Sequence, residues 1–315
     1  MNGVEDTTRA AILAARAGGG AAVRAWRQGA AYRALEARFA DCPLDDPGTA
    51  LARATDLLAA SGWAAELLAP LVAALAAEPL FEPPFKASRD GARIGLVLFD
   101  SPAVSLSACH SSAAAMRGRG VPASVTFSGR LAVTRYVRAG NATLRRWRAP
   151  LAGPDFRAET APPCAEAPPL RLADGEVHAI DGRCEAQLVT DAQGDLVTLV
   201  VTIRAGAAPL MREHATDDGR LLRVASGDDR ASRAEMLLAF LRLAGRADAA
   251  PRFEEATRDP AFHLRWAAMR EWLALDARAA LPRLEAMAAE DAHDEVRAAA
   301  VQALALVRPR LACPA

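Results

Sequence analysis

Apolar residues recur at helical spacing from Thr7 to about Ala77, alternate from about Phe81 to Ala225, and return to helical spacing from Ser226 onward. In the first stretch, Asp46-Pro47 ahead of Leu51, Leu57 and Leu58 predicts a helix with an aspartate N-cap and a proline in its first turn. After Ser61-Gly62, the residues Trp63, Leu67, Leu68, Leu71, Val72 and Leu75 form one apolar stripe, in which Pro70 predicts a kink. Gly18-Gly19-Gly20 predicts a break between a short first helix and a longer one through Trp26, Tyr32, Leu35 and Phe39.

In the second stretch the period is two. Ile94, Leu96 and Leu98 alternate with their neighbours, as do Val104, Leu106 and Ala108, Val125 and Phe127, and Leu131, Val133 and Arg135. Further strands are expected at Glu176–Ile180, Arg183–Thr190, Asp195–Arg204 and Arg220–Ala225, with glycine turns such as Asp90-Gly91, Asp174-Gly175 and Asp218-Gly219 between them. Many short strands with regular turn signals predict a β-barrel or sandwich. Six prolines between Ala149 and Pro169 predict a long surface loop instead of a strand there.

The third stretch repeats itself. At an offset of 32, Arg233, Arg265 and Arg297 share a column, followed by Leu237/Met269/Val301, Phe240/Trp272/Leu304 and Leu243/Leu275/Val307. Helix pairs recurring at this period, each burying apolar residues against the next, are a solenoid signature, so these columns are expected to be buried. The fold class expected is α+β and multidomain. It has a helical segment over 1–80, a β-barrel or sandwich over 81–225 and α-α repeats over 226–315.

Composition excludes several roles. Thirty-eight basic residues balance 38 acidic ones, unlike a chain that coats nucleic acid. No apolar run reaches membrane-spanning length, and the start lacks the order of a signal peptide, so a cytoplasmic location is expected. The cysteines (42, 109, 164, 184 and 313) are scattered without a C-x-x-C pair and read as reduced thiols.

The repeats resemble a known family. Asp259, Leu264 and Arg265, and again Asp291, Val296 and Arg297, keep the HEAT-repeat spacing of an aspartate, an aliphatic residue five later and an arginine six later. The period is that of the short, bilin-lyase-type repeats, and the first copy departs by having Gly227 at the aspartate position. The resemblance implies a helical array that engages a protein partner. Arg265 and Arg297 are expected to hold neighbouring repeats together by bonding inter-repeat aspartates. More weakly, Ser128–Val133 and Leu170–Gly182 resemble strands of a cupin-like barrel. That resemblance implies a barrel able to take a small-molecule ligand.

Metal-binding cupins carry a His-x-His pair, and this chain has none. Glu176 and His178 share a strand face, and His110 ends another strand, so these three are the candidate metal ligands, set against an expectation of no metal and no cofactor. His263 and His293 fall in turns between repeats and are expected to be exposed. Residues 101–154 hold eight arginines and no acid, whereas 155–195 hold nine acids and three arginines. Cross-strand neutralisation within one β domain is the expected result. The function expected is a non-enzymatic interaction, scaffold or small-ligand-sensing protein, without nucleic acid or membrane. The alternative is a metal-dependent cupin-type enzyme using His110, Glu176 and His178.

Overall fold

The computed structural model describes residues 18–153 and 156–312. The expected short helix from Thr7, and Cys313, lie outside them. The chain is a mixture of helices and antiparallel strands, and no single helix is long and apolar enough to cross a membrane among the described residues. By contacts it divides into two compact units, one of residues up to 122 with 130–147 and 166–207, the other of 123–129, 148–165 and 208 onward.

The first unit begins with helices α1 (18–28), α2 (Ala30–Phe39), α3 (Pro47–Ala59) and α4 (Trp63–Ala77). Asp46 caps α3 by accepting a hydrogen bond from the Gly48 backbone N–H, with Pro47 in the first turn, as the sequence predicts. The helix α4 continues past Pro70. The expected break at Gly18–Gly20 is corrected: these glycines are helical, and the chain bends at Gly29. A side chain at Gly19 would stand 3.2 Å from the Phe81 ring, so the missing Cβ leaves room for that buried aromatic.

The strands are β1 (Lys86–Arg89), β2 (Arg93–Asp100), β3 (Val104–Ser111), β4 (Ser124–Phe127), β5 (Leu131–Arg138) and β6 (Thr143–Arg148). They continue with β7 (Ala165–Arg171), β8 (Val177–Asp181), β9 (Glu185–Asp191), β10 (Leu196–Ile203), β11 (Leu210–Ala215) and β12 (Leu221–Ser226). A short helix, α5 (Ala113–Arg119), follows β3. In the first unit the large sheet runs β1-β2-β3-β10-β5-β8 and a small one runs β7-β6-β9.

One face of the large sheet is apolar. Val104, Leu106, Leu131, Val133, Leu199, Val201 and Ile203 are buried in one core with Leu35, Phe39, Leu57, Leu58 and Leu67 of the helices. Arg135, on that face, donates to the carbonyls of Leu58, Ala59 and Ala60 at the end of α3 and so satisfies acceptors a helix end leaves open. The proline-rich loop is corrected in part, because Pro168 and Pro169 lie inside β7. That strand is at the edge of its sheet, where a missing N–H breaks no inner ladder. The charge balance resolves between strands: Arg145 of β6 pairs with Glu166 of β7 at 2.7 Å, and Arg146 lies 4.0 Å from Glu185 of β9.

The second unit holds the sheet β12-β11-β4 and the helices α6 (Asp229–Leu243), α7 (Ala250–Ala256), α8 (Phe262–Glu290) and α9 (Asp294–Ala312). Helix α8 is two segments meeting at Asp276, whose backbone is non-helical (φ −152°, ψ 90°). Helices begin at Asp229, Phe262 and Asp294, 33 and 32 residues apart. The buried columns are corrected at the ends of this array. Met269 and Trp272 are buried, but Leu237, Phe240 and Leu243 of α6 and Val301 of α9 are exposed. Only an interior copy has a neighbour on both sides, and α6 and α9 are terminal.

His263 and His293 are also corrected. Both are half-buried, with ring nitrogens shut from solvent, and the ring of His293 stacks on Phe262 at 3.9 Å. Phe262 at the start of α8 is an apolar surface against which both imidazoles settle.

Candidate functional site

The large sheet has a second face, and its chemistry differs sharply from the first. Side chains alternate along a strand, so residues in register across strands share a face. Thr198 of β10 stands opposite Cys109 of β3 and Tyr136 of β5, Val200 opposite Ser107 and Thr134, and Thr202 opposite Ser105 and Ala132. His178 of β8 stands opposite Thr134. This face therefore gathers three threonines, two serines, a tyrosine, a cysteine and a histidine on four adjacent strands. Ser105, Ser107, Thr198, Thr202 and His178 are half-buried, whereas Thr134, Tyr136 and Cys109 are buried.

One end of the face is closed by apolar packing. Tyr136 and Leu196 pack with Ala113, Leu144 and Leu172 into a separate small core. Since Leu144 of β6 belongs to this core, Arg146, two residues on, shares its inward face. Its partner Glu185 shares a face of β9 with Gln187, which hydrogen-bonds the Tyr136 hydroxyl. Burial pushes the Tyr136 phenol up to about 12 despite the Gln187 bond, and the Glu176 charge adds to the shift. Tyr136 is thus a neutral donor and acceptor at any physiological pH.

Glu176 and His178 are brought together, as their spacing predicts. His178 Nε2 lies 3.0 Å from Glu176 Oε2, and the His178 ring meets the Tyr136 ring edge-on at 5.7 Å. The preceding turn fixes the pair. Gly175, at φ +83°, donates to the Tyr136 carbonyl, and Asp174 accepts from the Ala139 N–H. The Ala173 N–H bonds Glu176 and, with the His178 contact, holds its carboxyl below the ordinary range. A carboxylate held ionised against an imidazole orients that ring, the arrangement of a proton acceptor or donor for a bound molecule.

His110 does not join them. It is in register with Ile94 and Val197, on the opposite face from Cys109, and its Nε2 lies 3.1 Å from Asp195 Oδ2. Among the described residues, no group of three or more His, Cys, Asp or Glu side chains is gathered where a metal ion would sit. Glu176 Oε2 and His178 Nε2 face each other at 3.0 Å, and with His110 on the opposite face of the sheet the three candidate ligands do not meet at one point.

The sequence reading missed the hydroxyl residues. Their signal is the alternation itself: Val-Ser-Leu-Ser-Ala-Cys over 104–109, Leu-Ala-Val-Thr over 131–134 and Thr-Leu-Val-Val-Thr over 198–202. Read for its polar positions as well as its apolar ones, each strand carries hydroxyls on one side. The same strands carry the aliphatic core on the other.

The second unit contains one further polar constellation. His214 of β11 is fully buried; its Nδ1 meets the Gly219 carbonyl at 2.8 Å, and its Nε2 has no hydrogen-bond partner. Burial pulls its pKa down, so it stays neutral beside Phe127 and Arg212.

No family model matches the chain, and no curated protein matches it. Similar solved structures include ectoine synthase from P. lautus, at 11% identity and TM-score 0.24, over 38% of this chain and 68% of that one. They include the capsular polysaccharide assembling protein CapF from Staphylococcus aureus, at 12% identity and TM-score 0.26, over 45% of this chain and 34% of CapF. A sugar phosphate isomerase from a cupin superfamily, of Silicibacter pomeroyi, matches at 11% identity and TM-score 0.23, over 46% of this chain and 87% of that one. The chain thus spans about a third of CapF's length. At this level the likenesses carry nothing about activity or ligand.

Proposed function

We propose that this protein is a small-ligand-sensing protein that acts through a protein partner and catalyses no reaction of its own. The observation that carries this reading is the hydroxyl-bearing face of the large sheet. Ser105, Ser107, Thr134, Thr198 and Thr202, with Tyr136 and the Glu176–His178 pair, present donors and acceptors from rigid strands. A half-buried surface of this kind suits a small neutral molecule rich in hydroxyl groups, because each side chain both donates and accepts.

In this reading the strands form a cupin-like barrel used for binding, and the helical array is HEAT-like and engages the partner. Two features support the HEAT-like assignment. Arg265 and Arg297 each donate to the backbone carbonyl of the aspartate six residues earlier, Asp259 and Asp291. Arg265 also forks onto the Asp291 carboxylate of the next copy.

The test is thermal unfolding of the full chain in the presence of a panel of polyols, sugars and hydroxy acids, repeated on Thr198→Val/Thr202→Val. A ligand at 100 times its Kd stabilises the protein by about 2.7 kcal/mol, a readily measured rise in Tm. The expected result is a rise in the parent protein that the double valine variant lacks. A panel without effect, or a rise that survives both substitutions, would refute the assignment.

A further inference from the structure

The helical array carries a groove whose shape and charge specify an occupant. It runs between the first segment of α8 and α9 and encloses about 360 Å³. On the first segment of α8 its wall is Trp266, Arg270 and Leu273, at intervals of four and three residues, so one stripe of that segment faces it, and Ala277 adds to the wall beyond the break at Asp276. On α9 the wall is Ala303, Val307 and Arg310, again at successive turns. Trp266, Leu273, Ala303 and Val307 are half-buried, although the opposite side of α8 is filled by Leu264, Ala268, Met269 and Trp272 in the array's core. The small Ala277 and Ala303 keep the wall low and leave the hollow open.

The charge on the rim is one-sided. Most arginines of the array are paired: Arg242 with Glu271, Arg265 with Asp291, Arg297 with Asp294 and Arg308 with Glu285. Arg270 and Arg310 border the groove, are exposed, and form no salt bridge among the described residues. Arg233 and Arg278 are also exposed and form no salt bridge among the described residues, and neither lines this groove. The carboxyl that feels Arg270 is Glu235 of α6, whose pKa burial raises against the pull of that arginine.

We propose that this groove docks an acidic amphipathic helix of a protein partner, with apolar side chains in the hollow and carboxylates on Arg270 and Arg310. From Trp266 to Leu273 the helical wall is about two turns long, at about 1.5 Å per residue, with Trp266, Arg270 and Leu273 at i, i+4 and i+7, which matches a short helix laid along it. The inference rests on the reading of the array as the partner-engaging part, and it names the chemistry of that partner.

The test uses two synthetic fifteen-residue peptides, each with one leucine stripe, flanked in one by glutamates and in the other by lysines. Fluorescence anisotropy reports their binding to the full chain. Neither peptide contains an aromatic residue, so any change in tryptophan emission comes from the protein's five tryptophans, and its loss in Trp266→Phe assigns it to the groove. The acidic peptide is expected to bind the parent protein and shift its tryptophan emission. In Arg270→Glu/Arg310→Glu it should bind at least tenfold more weakly, and the lysine peptide should gain, because exchange of the charges reverses the preference. Equal binding of both peptides, or acidic binding unchanged by the double reversal, overturns the proposal. Binding abolished instead by Phe240→Asp, on the exposed face of α6, also overturns it while leaving the array as the docking element.

Discussion

Removing the Asp291 carboxylate isolates a buried guanidinium, and the cost is set by its surroundings. Arg265 Nε and Nη2 reach the two oxygens of Asp291 at 2.9 and 2.6 Å, and the pair is nearly shut from solvent, with side chains 11% and 2% exposed. The same carboxylate accepts the His293 N–H at 2.9 Å, and Arg265 Nη1 donates to the carbonyl of Asp259 at 3.0 Å. Asp291→Ala leaves Arg265 charged, buried and bound only to carbonyls. Breaking a buried pair from one side costs about 3–5 kcal/mol, comparable to much of the stability of a small domain. Replacing both partners, as Arg265→Met/Asp291→Leu, removes the stranded charge and should recover most of that loss.

Amide hydrogen exchange over Phe262–Glu290 is the assay, since it reads this array apart from the rest of the chain. Exchange in Asp291→Ala should be faster by a factor of roughly 150 to 5,000, the equivalent of about 3–5 kcal/mol, and the double variant should lie far closer to the parent. The pair also has a pH signature. Burial alone would raise the Asp291 pKa, but the Arg265 fork, the His293 N–H and the charges of Arg265 and Arg283 outweigh it and hold it below its ordinary value. Its contribution is therefore present above the unfolded pKa of about 3.9 and is lost as pH falls through the lower folded value. A single variant within about 1 kcal/mol of the parent, or a double variant as unstable as the single one, would refute the reasoning.

Position in the array should decide the weight of its columns: Trp272→Ala is expected to cost about 3–5 kcal/mol, as a large-to-small change in a packed core does, and Leu237→Ala no more than about 0.5. Chemical denaturation of the two variants compares them directly. The pKa of Tyr136 is raised to about 12 and that of Tyr32 is raised as well, so ultraviolet titration should show tyrosinate forming later in the folded protein than in the unfolded chain, with the Tyr136 step near 12 while the fold persists. Because the folded Tyr136 phenol holds its proton longer than the unfolded one, its contribution to stability is present below pH about 10 and falls as pH rises toward 12.

Much of the local structure was written in the order of residues. Asp46-Pro47 caps and starts its helix through atoms within two residues of each other. The strands of residues 93–111 and 131–138 follow from their alternation, because that pattern reflects the geometry of a single element. The spacing of Glu176 and His178 likewise placed them together, since residues two apart in a strand share a face.

What the order of residues left open was decided by long-range pairing. β10 inserts between β3 and β5, and that register alone turns scattered serines and threonines into one continuous polar face. The same register sends His110 to the side opposite Cys109, away from the face that holds His178. Pro168 and Pro169 enter a strand because that strand lies at a sheet edge, a property of the sheet and not of the prolines. Leu237 and Phe240 occupy the same repeat columns as Met269 and Trp272, yet stand exposed on α6 while the latter are buried. A side chain's own pattern states which face of an element is apolar. Whether that face is covered depends on which elements meet, through contacts between residues far apart in the chain.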